Sequence, residues 1–237
     1  MKKLLLAVVL LISVASYAQD LPFLLNKTIE GMGGEEAFAR IKTLKITGTV
    51  LMNGTEFPVT IQIINGLAIR TDIEINGQVS TKSYINGVGW KINPFENIFS
   101  PIDLTDEELN EMKIQRFVGG PLIAYKSTSG EINLELVNDS NKVDSCYKVK
   151  AINAKTGDGP TCSINKSNFL IQKIESRRLI QGHDVNMTTE ILGRQFVDGV
   201  LFTTKQEQFI EGQFYQQIRY DKIEINLPLK ESLFHAN

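Results

Sequence analysis

Four Asn-Gly pairs recur at near-regular intervals in this chain and constrain its fold more than any other feature. They are Asn53-Gly54, Asn65-Gly66, Asn76-Gly77 and Asn86-Gly87, spaced twelve, eleven and ten residues apart. Asn and Gly both tolerate positive φ, which a two-residue type I′ hairpin turn requires at both central positions. The spacing therefore predicts five antiparallel strands that fold back and forth as a meander.

The segments between these pairs alternate between apolar and polar side chains. Three sets of apolar residues each share one strand face: Leu44, Ile46, Val50 and Met52; Phe57, Val59, Ile61 and Ile63; Leu67, Ile69, Ile73 and Ile75. A period of two predicts a sheet with one dry face and one wet face. A continuous meander of this kind can curl around a cavity.

The remaining segments add more strands and a few helices. Further strands are predicted at about 131–137, 145–152, 161–166, 169–180, 184–193, 200–210 and 214–226. Helices are predicted before Gly33-Gly34, over 35–42, and from a capping box at Thr105 and Glu108 to about Arg116. These elements sum to about twelve strands and three helices in one α+β domain.

The first eighteen residues have the pattern of a secretory signal peptide. Two lysines precede an apolar run over 4–14, and Ser16 and Ala18 place small side chains at −3 and −1 of a cleavage site before Gln19. The pattern predicts export to an oxidising compartment. The alternative, an N-terminal membrane anchor, needs a longer apolar run. No cysteine follows the cut, so no lipid anchor is expected, and the predicted mature domain covers 19–237.

Composition limits the partners of the mature chain. Removing eighteen residues from 237 leaves 219, which is enough for one domain with a sizeable core. The remaining 23 basic and 27 acidic residues give a formal net charge of −4. This mild acidity argues against nucleic acid and against anionic membrane surfaces as partners.

The two cysteines, Cys146 and Cys162, are predicted to lie in neighbouring strands. Export permits a disulfide. A hairpin that pairs Ile152 with Cys162 would, however, hold the thiols roughly 20 Å apart, at about 3.4 Å per residue. A bridge therefore requires a different register, and two isolated cysteines make a poor metal site.

The sequence contains no recognisable catalytic constellation. His183 and His235 are expected to be exposed, and neither is spaced i, i+4 from another metal ligand. No serine lies in a Gly-x-Ser-x-Gly elbow. The chain is therefore predicted to be no enzyme and to hold no cofactor and no metal.

An aromatic, proline-rich segment follows the meander at 90–101. It contains Trp90, Pro94, Phe95, Phe99 and Pro101 and is predicted to be a loop. Such a loop either fills the core or covers a cavity, and the residues alone leave both alternatives open.

Six motifs together carry a family resemblance. They are IEGMGGEEA at 29–37, IKTLKITGT at 41–49, GWKINPF at 89–95, LTDEEL at 104–109, DGVLF at 198–202 and INLPL at 225–229. In these motifs and in the order of its elements, the chain resembles the LolA/LolB-like superfamily of periplasmic lipoprotein carriers. More specifically, it looks like the small outer membrane lipoprotein-sorting relatives found in Bacteroidetes, and the resemblance covers nearly all of the mature chain.

The resemblance implies both a fold and a function. The implied fold is a curved antiparallel half-barrel of about 10–12 strands with helices packed over its concave mouth. The implied function is to bind lipid or lipoprotein acyl chains in a hydrophobic cavity, with outer- or inner-membrane lipoprotein machinery as partners. The protein is expected to act as a monomer.

The carrier hypothesis assigns ten apolar residues to the cavity. Its lid and rim are predicted to be Trp90, Phe95, Phe99, Leu109, Met112 and Phe117. Its wall is predicted to be Val59, Ile61, Ile69 and Ile73. The alternative is a non-catalytic sensor or protein-interaction module that uses the same half-barrel. A hydrolase is disfavoured because the sequence offers no triad and no metal set.

Overall fold

The computed structural model describes residues 21–127, 130–137, 145–180 and 183–236. The predicted signal peptide at 1–18 lies outside the described residues. Within the described ranges there are four α-helices: α1 (Leu21–Gly31), α2 (Glu35–Arg40), α3 (Asp106–Gln115) and α4 (Pro121–Ser127). None of these helices is long and apolar enough to cross a bilayer.

The same ranges contain thirteen strands and two short 3-10 helices, at Pro94–Glu96 and Glu231–Phe234. The strands of the first half are β1 (Thr43–Met52), β2 (Thr55–Ile64), β3 (Ala68–Ile75), β4 (Gln78–Ile85), β5 (Val88–Asn93) and β6 (Ile98–Asp103). Those of the second half are β7 (Ile132–Val137), β8 (Cys146–Asn153), β9 (Thr161–Asn165), β10 (Ile171–Ile180), β11 (His183–Val197), β12 (Val200–Ile210) and β13 (Gln213–Ile225).

The described strands form one open, curved antiparallel sheet in the order β6-β5-β4-β3-β2-β1-β13-β12-β11-β10-β9-β8-β7. The first and last strands pair at its centre, with Leu44 opposite Ile225. Each half is a meander, and the chain passes from edge strand β6 through α3 and α4 to edge strand β7. The predicted antiparallel architecture is confirmed, with thirteen strands where about 10–12 were expected.

Three of the four Asn-Gly pairs form turns of the predicted type. Asn53, Asn76 and Asn86 have φ values of 49°, 52° and 51°, and the glycine that follows each one is also at positive φ. At Asn65-Gly66 the predicted turn between β2 and β3 is present, but it is not of type I′, because Asn65 stays outside the left-handed region although Gly66 enters it. Asn65 also uses its side chain to connect distant segments.

The aromatic segment at 90–101 is a β-hairpin and not the predicted loop. β5 and β6 pair around the short 3-10 helix, with Trp90 opposite Asp103. Pro101 lies in β6 at the edge of the sheet, where a missing N–H does not interrupt a second ladder. Because the segment is rich in proline, β6 was not predicted from the sequence.

The helix boundaries are partly those predicted. The capping box of α3 is confirmed, because Thr105 accepts a hydrogen bond from the Glu108 N–H and the Glu108 side chain accepts one from the Thr105 N–H. α4 was missed. Pro121 was interpreted as part of a helix stop, but it is the first residue of α4, a position that proline favours.

Two clusters attach the helices to the sheet. The first joins α2 and α3 to the central strands through Phe38 and Met112, which pack with Leu44, Ile63 and Ile69. The face of β1–β5 that contacts α2 and α3 is called the helix face below. The second joins α1 and α4 to the β7 side of the sheet; it includes Leu24, Leu25, Leu122, Val149, Cys162 and Ile164.

Cys146 and Cys162 are not joined by a disulfide. In the β8–β9 pair, Val149 lies opposite Cys162, and Cys146 lies opposite Asn165. The register that placed Ile152 opposite Cys162 is therefore wrong. In the observed register, Cys146 lies three positions along the ladder from Val149, the partner of Cys162, so the two cysteines do not form a cross-strand pair.

Candidate apolar binding site

The turn between β2 and β3 holds the segment after α3 against the end of the sheet. The Asn65 side chain donates to the Ile41 carbonyl at 2.9 Å and accepts from the Val118 N–H at 3.1 Å. Gly66 and Arg116 form a reciprocal pair, because the Gly66 N–H donates to the Arg116 carbonyl and Arg116 Nε donates to the Gly66 carbonyl. These bonds position 116–118.

A cleft of about 330 Å³ opens beside this turn. Its lining comes from α2, the turn, the segment after α3, and α4: Glu35, Phe38, Ala39, Asn65, Gly66, Phe117 and Ile123. The volume is at the lower end of the range for ligand pockets. The lining is apolar apart from Glu35 and Asn65, which suits an apolar ligand.

Phe117 is a fixed wall of this cleft. Its ring packs with Ala124 of α4, Ile132 of β7 and Ala151 of β8, and only 8% of the residue is exposed. The Arg116 guanidinium lies 4.5 Å from the centre of this ring, within cation–π distance. Phe117 is the only residue of the predicted lid and rim that lines the cleft.

Four other predicted residues are brought together as closely packed core. Leu109 and Met112 of α3 pack in one cluster with Ile61 and Ile69 of the sheet. Met112 is 2% exposed and Ile69 is 3% exposed. In this conformation the side chains of α3 themselves occupy the space between α3 and the predicted wall.

Trp90 lies on the opposite face of the sheet from these residues. It is paired with Ser83, whereas its neighbour Gly89 contacts Leu109 on the helix face, and successive strand residues point to opposite faces. Trp90 Nε1 and Ser83 Oγ both donate to the Phe234 carbonyl, at 2.8 and 2.9 Å. Trp90 thus anchors the C-terminal segment, and the structure does not bring it to α3.

Phe95 and Phe99 lie at the far end of the β5–β6 hairpin. They are 45% and 69% exposed, and neither lines the cleft. Their exposure is compatible with a contact surface, but they are separated from Leu109, Met112 and Phe117 in this conformation.

The two remaining wall residues, Val59 and Ile73, form a cross-strand pair on the helix face. Val59 lies two residues before Ile61 on β2, and Ile73 lies four residues after Ile69 on β3, so both side chains point to the same face as these residues. Val59 and Ile73 lie beyond the part of the sheet that packs against α3. Together with Val50, Phe57 and Ile218 they make an apolar strip, in which Val50 lies opposite both Phe57 and Ile218. Val59 is buried, whereas Ile73, Phe57 and Ile218 are half-buried.

Ion pairs hold α3 on two sides. Glu108 contacts Lys91 of β5 at 2.9 Å and Lys82 of β4 at 3.1 Å. Glu111 pairs with Arg178 of β10, in the other half of the sheet. These ion pairs therefore link α3 to both halves of the sheet.

The ion pairs of Glu108 lower its pKa. Partial burial favours the neutral carboxylic acid and by itself would raise the pKa. The hydrogen bonds from Lys91 and the Thr105 N–H, with the charge of Lys82, outweigh this effect and bring the pKa to about 2. Glu108 is thus ionised at any pH at which the fold is expected to work.

Groups that could hold a metal ion are not assembled in the described part of the chain. No set of three His, Cys, Asp or Glu residues there is placed to hold a metal ion. His183 and His235 are both exposed, as the sequence predicted.

The sequence missed most of the cleft lining. Phe38 was predicted only to be on the apolar side of its helix, Asn65 was predicted to be a hairpin turn, and Ile123 lay in an unassigned segment. The available signal was the apolar run after Pro121, which fits a helix that starts at proline.

The open antiparallel sheet and its helices define a LolA-like fold. A LolA superfamily protein from Nitrosomonas europaea matches with a TM-score of 0.56 at 12% identity, over 88% of this chain and 97% of its own. A putative outer membrane lipoprotein-sorting protein domain from Vibrio parahaemolyticus matches with a TM-score of 0.55 at 10% identity, over 89% and 97%. The predicted resemblance is therefore confirmed at the level of the fold. The sequence matches no protein-family model and no curated protein sequence.

Proposed function

We propose that this protein is a non-enzymatic periplasmic carrier that binds a lipid or the acyl chains of a lipoprotein. The observation that carries the proposal is the apolar cleft between α2, Phe117 and α4, in a fold shared with a lipoprotein-sorting domain. Binding would be driven by burial, at about 0.8 kcal/mol per methylene group. Acceptance and release would involve outer- or inner-membrane lipoprotein machinery, with the protein acting as a monomer.

The chain would enter the cleft and continue onto the helix face when α3 moves. α3 has a single buried residue, Met112, and is otherwise held by ion pairs and by the half-buried Leu109 and Ile114. Elements with few buried apolar contacts open at low free-energy cost. A displaced α3 would uncover Ile61 and Ile69 and join the cleft to the apolar strip. In this proposal the helices cover the concave mouth of the half-barrel.

Blocking the cleft tests this function. Ala39 lines the cleft on an exposed position of α2, so Ala39→Trp should fill the cleft without disturbing the core. Glu36→Trp places the same side chain on the same helix at an exposed position outside the lining. We expect Ala39→Trp to weaken binding of a dansyl-labelled fatty acid at least tenfold and Glu36→Trp to leave it unchanged. Equal binding by both variants would contradict the assignment of the cleft.

The predicted lid at Phe95 and Phe99 can be tested separately. The double variant F95D/F99D changes two exposed side chains and should therefore leave the fold intact. Loss of acyl binding in this variant would support a lid role for the hairpin. Unchanged binding would assign the chain to the cleft and the helix face alone.

A second candidate function, a protein-interaction or sensor module, is favoured by exposed apolar side chains on two strands of the second half. Large apolar side chains are exposed along β11 and β13: Leu192, Phe196, Phe214 and Tyr215, at 50%, 58%, 51% and 41%. A stoichiometric partner captured from a periplasm without detergent, and lost in a Phe196→Asp variant, would favour this function over the carrier.

A further inference from the structure

Arg178 is the side chain of β10 that reaches α3. Its Nη1 pairs with the Glu111 carboxylate, and each side chain of the pair is 27% exposed. Glu111 has a second partner, because it accepts a hydrogen bond from Gln115 at 2.7 Å. Glu111 would thus keep a partner on its own helix if it left Arg178.

The Nε of Arg178 is buried and has no hydrogen-bond partner among the residues that the structure describes. An unpaired buried donor is unfavourable, so an acceptor brought to this position is favoured. A guanidinium presents its N–H groups as a planar fork that matches a carboxylate or a phosphate. Since Glu111 contacts Nη1, part of the Arg178 fork is left for another acid group.

The surroundings of Arg178 are suited to a molecule that is both acidic and apolar. Val185 lies opposite Arg178 in the β10–β11 pair, and Met187 lies opposite Ser176 two positions away. Met187 in turn faces Ile210 of β12. These three apolar side chains are half-buried. Val185, Met187 and Ile210 thus form an apolar surface that extends from the guanidinium across β11 to β12.

We propose that Arg178 binds the acid group of an anionic lipid, which replaces Glu111 on the guanidinium. The ligand class is therefore an amphiphile with a carboxylate or phosphate head group. Arg178 would stay paired with an anion throughout the exchange, whereas a neutral lipid would leave Glu111 in place. This inference rests on the proposed acyl-chain binding and adds the identity of the head group to it.

The test compares acid and ester ligands of one chain length. Palmitate, methyl palmitate and lysophosphatidate with a palmitoyl chain would each compete against a neutral fluorescent acyl probe. We expect wild type to prefer palmitate or lysophosphatidate over the methyl ester at least tenfold. Whichever acid is preferred names the head group.

Variants of the two partners should act in opposite directions. Arg178→Gln should abolish the preference for the acid, whereas Glu111→Gln should increase acid affinity because the competing carboxylate is removed. Arg178→Lys keeps a positive charge but lacks the planar fork, so it should reduce the preference even if Arg178→Gln folds poorly. Arg177→Gln is the matched control, since Arg177 pairs with the exposed Asp184 and not with α3.

Three outcomes separate this inference from the proposed function. Equal wild-type affinity for palmitate and methyl palmitate would overturn the Arg178 site and leave acyl binding standing. Equal losses of acid binding in Arg178→Gln and Glu111→Gln would overturn it as well, since the pair would then be purely structural. If the protein bound neither palmitate nor methyl palmitate, the proposed function itself would be overturned.

Discussion

The Asn65 side-chain carbonyl accepts a hydrogen bond from the Val118 N–H at 3.1 Å, which joins the β2–β3 turn to the segment after α3. Two residues fifty-three positions apart in the chain are thereby fixed at the mouth of the cleft. The Asn-Gly pair at this position therefore connects β2 to β3 and also joins distant segments through the Asn65 side chain.

Replacing Asn65 with glycine should destabilise the protein, because the Val118 N–H and the Ile41 carbonyl both lose their side-chain partner. The expected loss is about 1–3 kcal/mol, measured by urea denaturation. Asn76→Gly is the matched control, since Asn76 has a φ of 52° in a turn where glycine is unstrained. Equal losses at the two positions would contradict the junction role of Asn65.

The strands were predictable because each carries its own signal. Alternation of apolar side chains depends on neighbouring residues, and so do the turns at Asn53, Asn76 and Asn86. Proline misled the prediction twice, since Pro101 is tolerated at a sheet edge and Pro121 begins a helix. In both cases the sequence cannot show whether proline interrupts an element or occupies a permitted position in one.

The candidate site was less predictable because its parts come from distant segments. Phe38, Asn65, Phe117 and Ile123 meet only after α2 and α4 dock at the end of the sheet. The side of the sheet on which Trp90 lies depends on the register of successive hairpins, because a shift of one residue moves a side chain to the other face. The sequence shows that Trp90 is a large apolar residue, but the register of the hairpins determines that it contacts Phe234.

Ionisation of Glu108 should contribute to stability in a defined pH range. Its pKa in the folded protein is about 2, against an ordinary value of 4.5. A lowered carboxyl pKa stabilises the fold above the unfolded-state value, and that contribution disappears as pH falls through the folded-state value. The Tm difference between wild type and Glu108→Gln should therefore be largest near pH 6 and shrink between pH 4.5 and pH 2.

The same replacement at Glu36, an exposed position on α2, controls for general acid effects. A difference between wild type and Glu108→Gln that stays constant down to pH 2 would contradict the role assigned to Lys91 and Lys82.

The two thiols should differ in reactivity. Cys162 is 0% exposed, and burial raises the pKa of its thiol to about 12, so the reactive thiolate is suppressed. Cys146 is partly exposed at the start of β8. Iodoacetamide followed by mass spectrometry should modify Cys146 in the native protein and Cys162 only after unfolding. Rapid native modification of Cys162 would show that the cluster around it opens.

The C-terminal segment should be essential for stability on the face opposite α3. Phe234 is 0% exposed, packs with Ala68 and Ile85, and its carbonyl accepts from Trp90. Phe234→Ala should cost about 3–5 kcal/mol and shift the emission of Trp90, the single tryptophan, to longer wavelength. Phe196→Ala, at a residue 58% exposed, should change neither quantity appreciably. An unshifted emission in Phe234→Ala would mean that Trp90 is protected by other contacts.

Native mass spectrometry can show whether the cleft and the helix face hold an acyl chain. The protein would be purified gently from a periplasm without added lipid, weighed intact, and then extracted with organic solvent to identify bound material. We expect a copurifying lipid or acylated peptide that is absent from the Ala39→Trp variant. An empty protein that also fails to take up added fatty acyl probes would contradict this expectation.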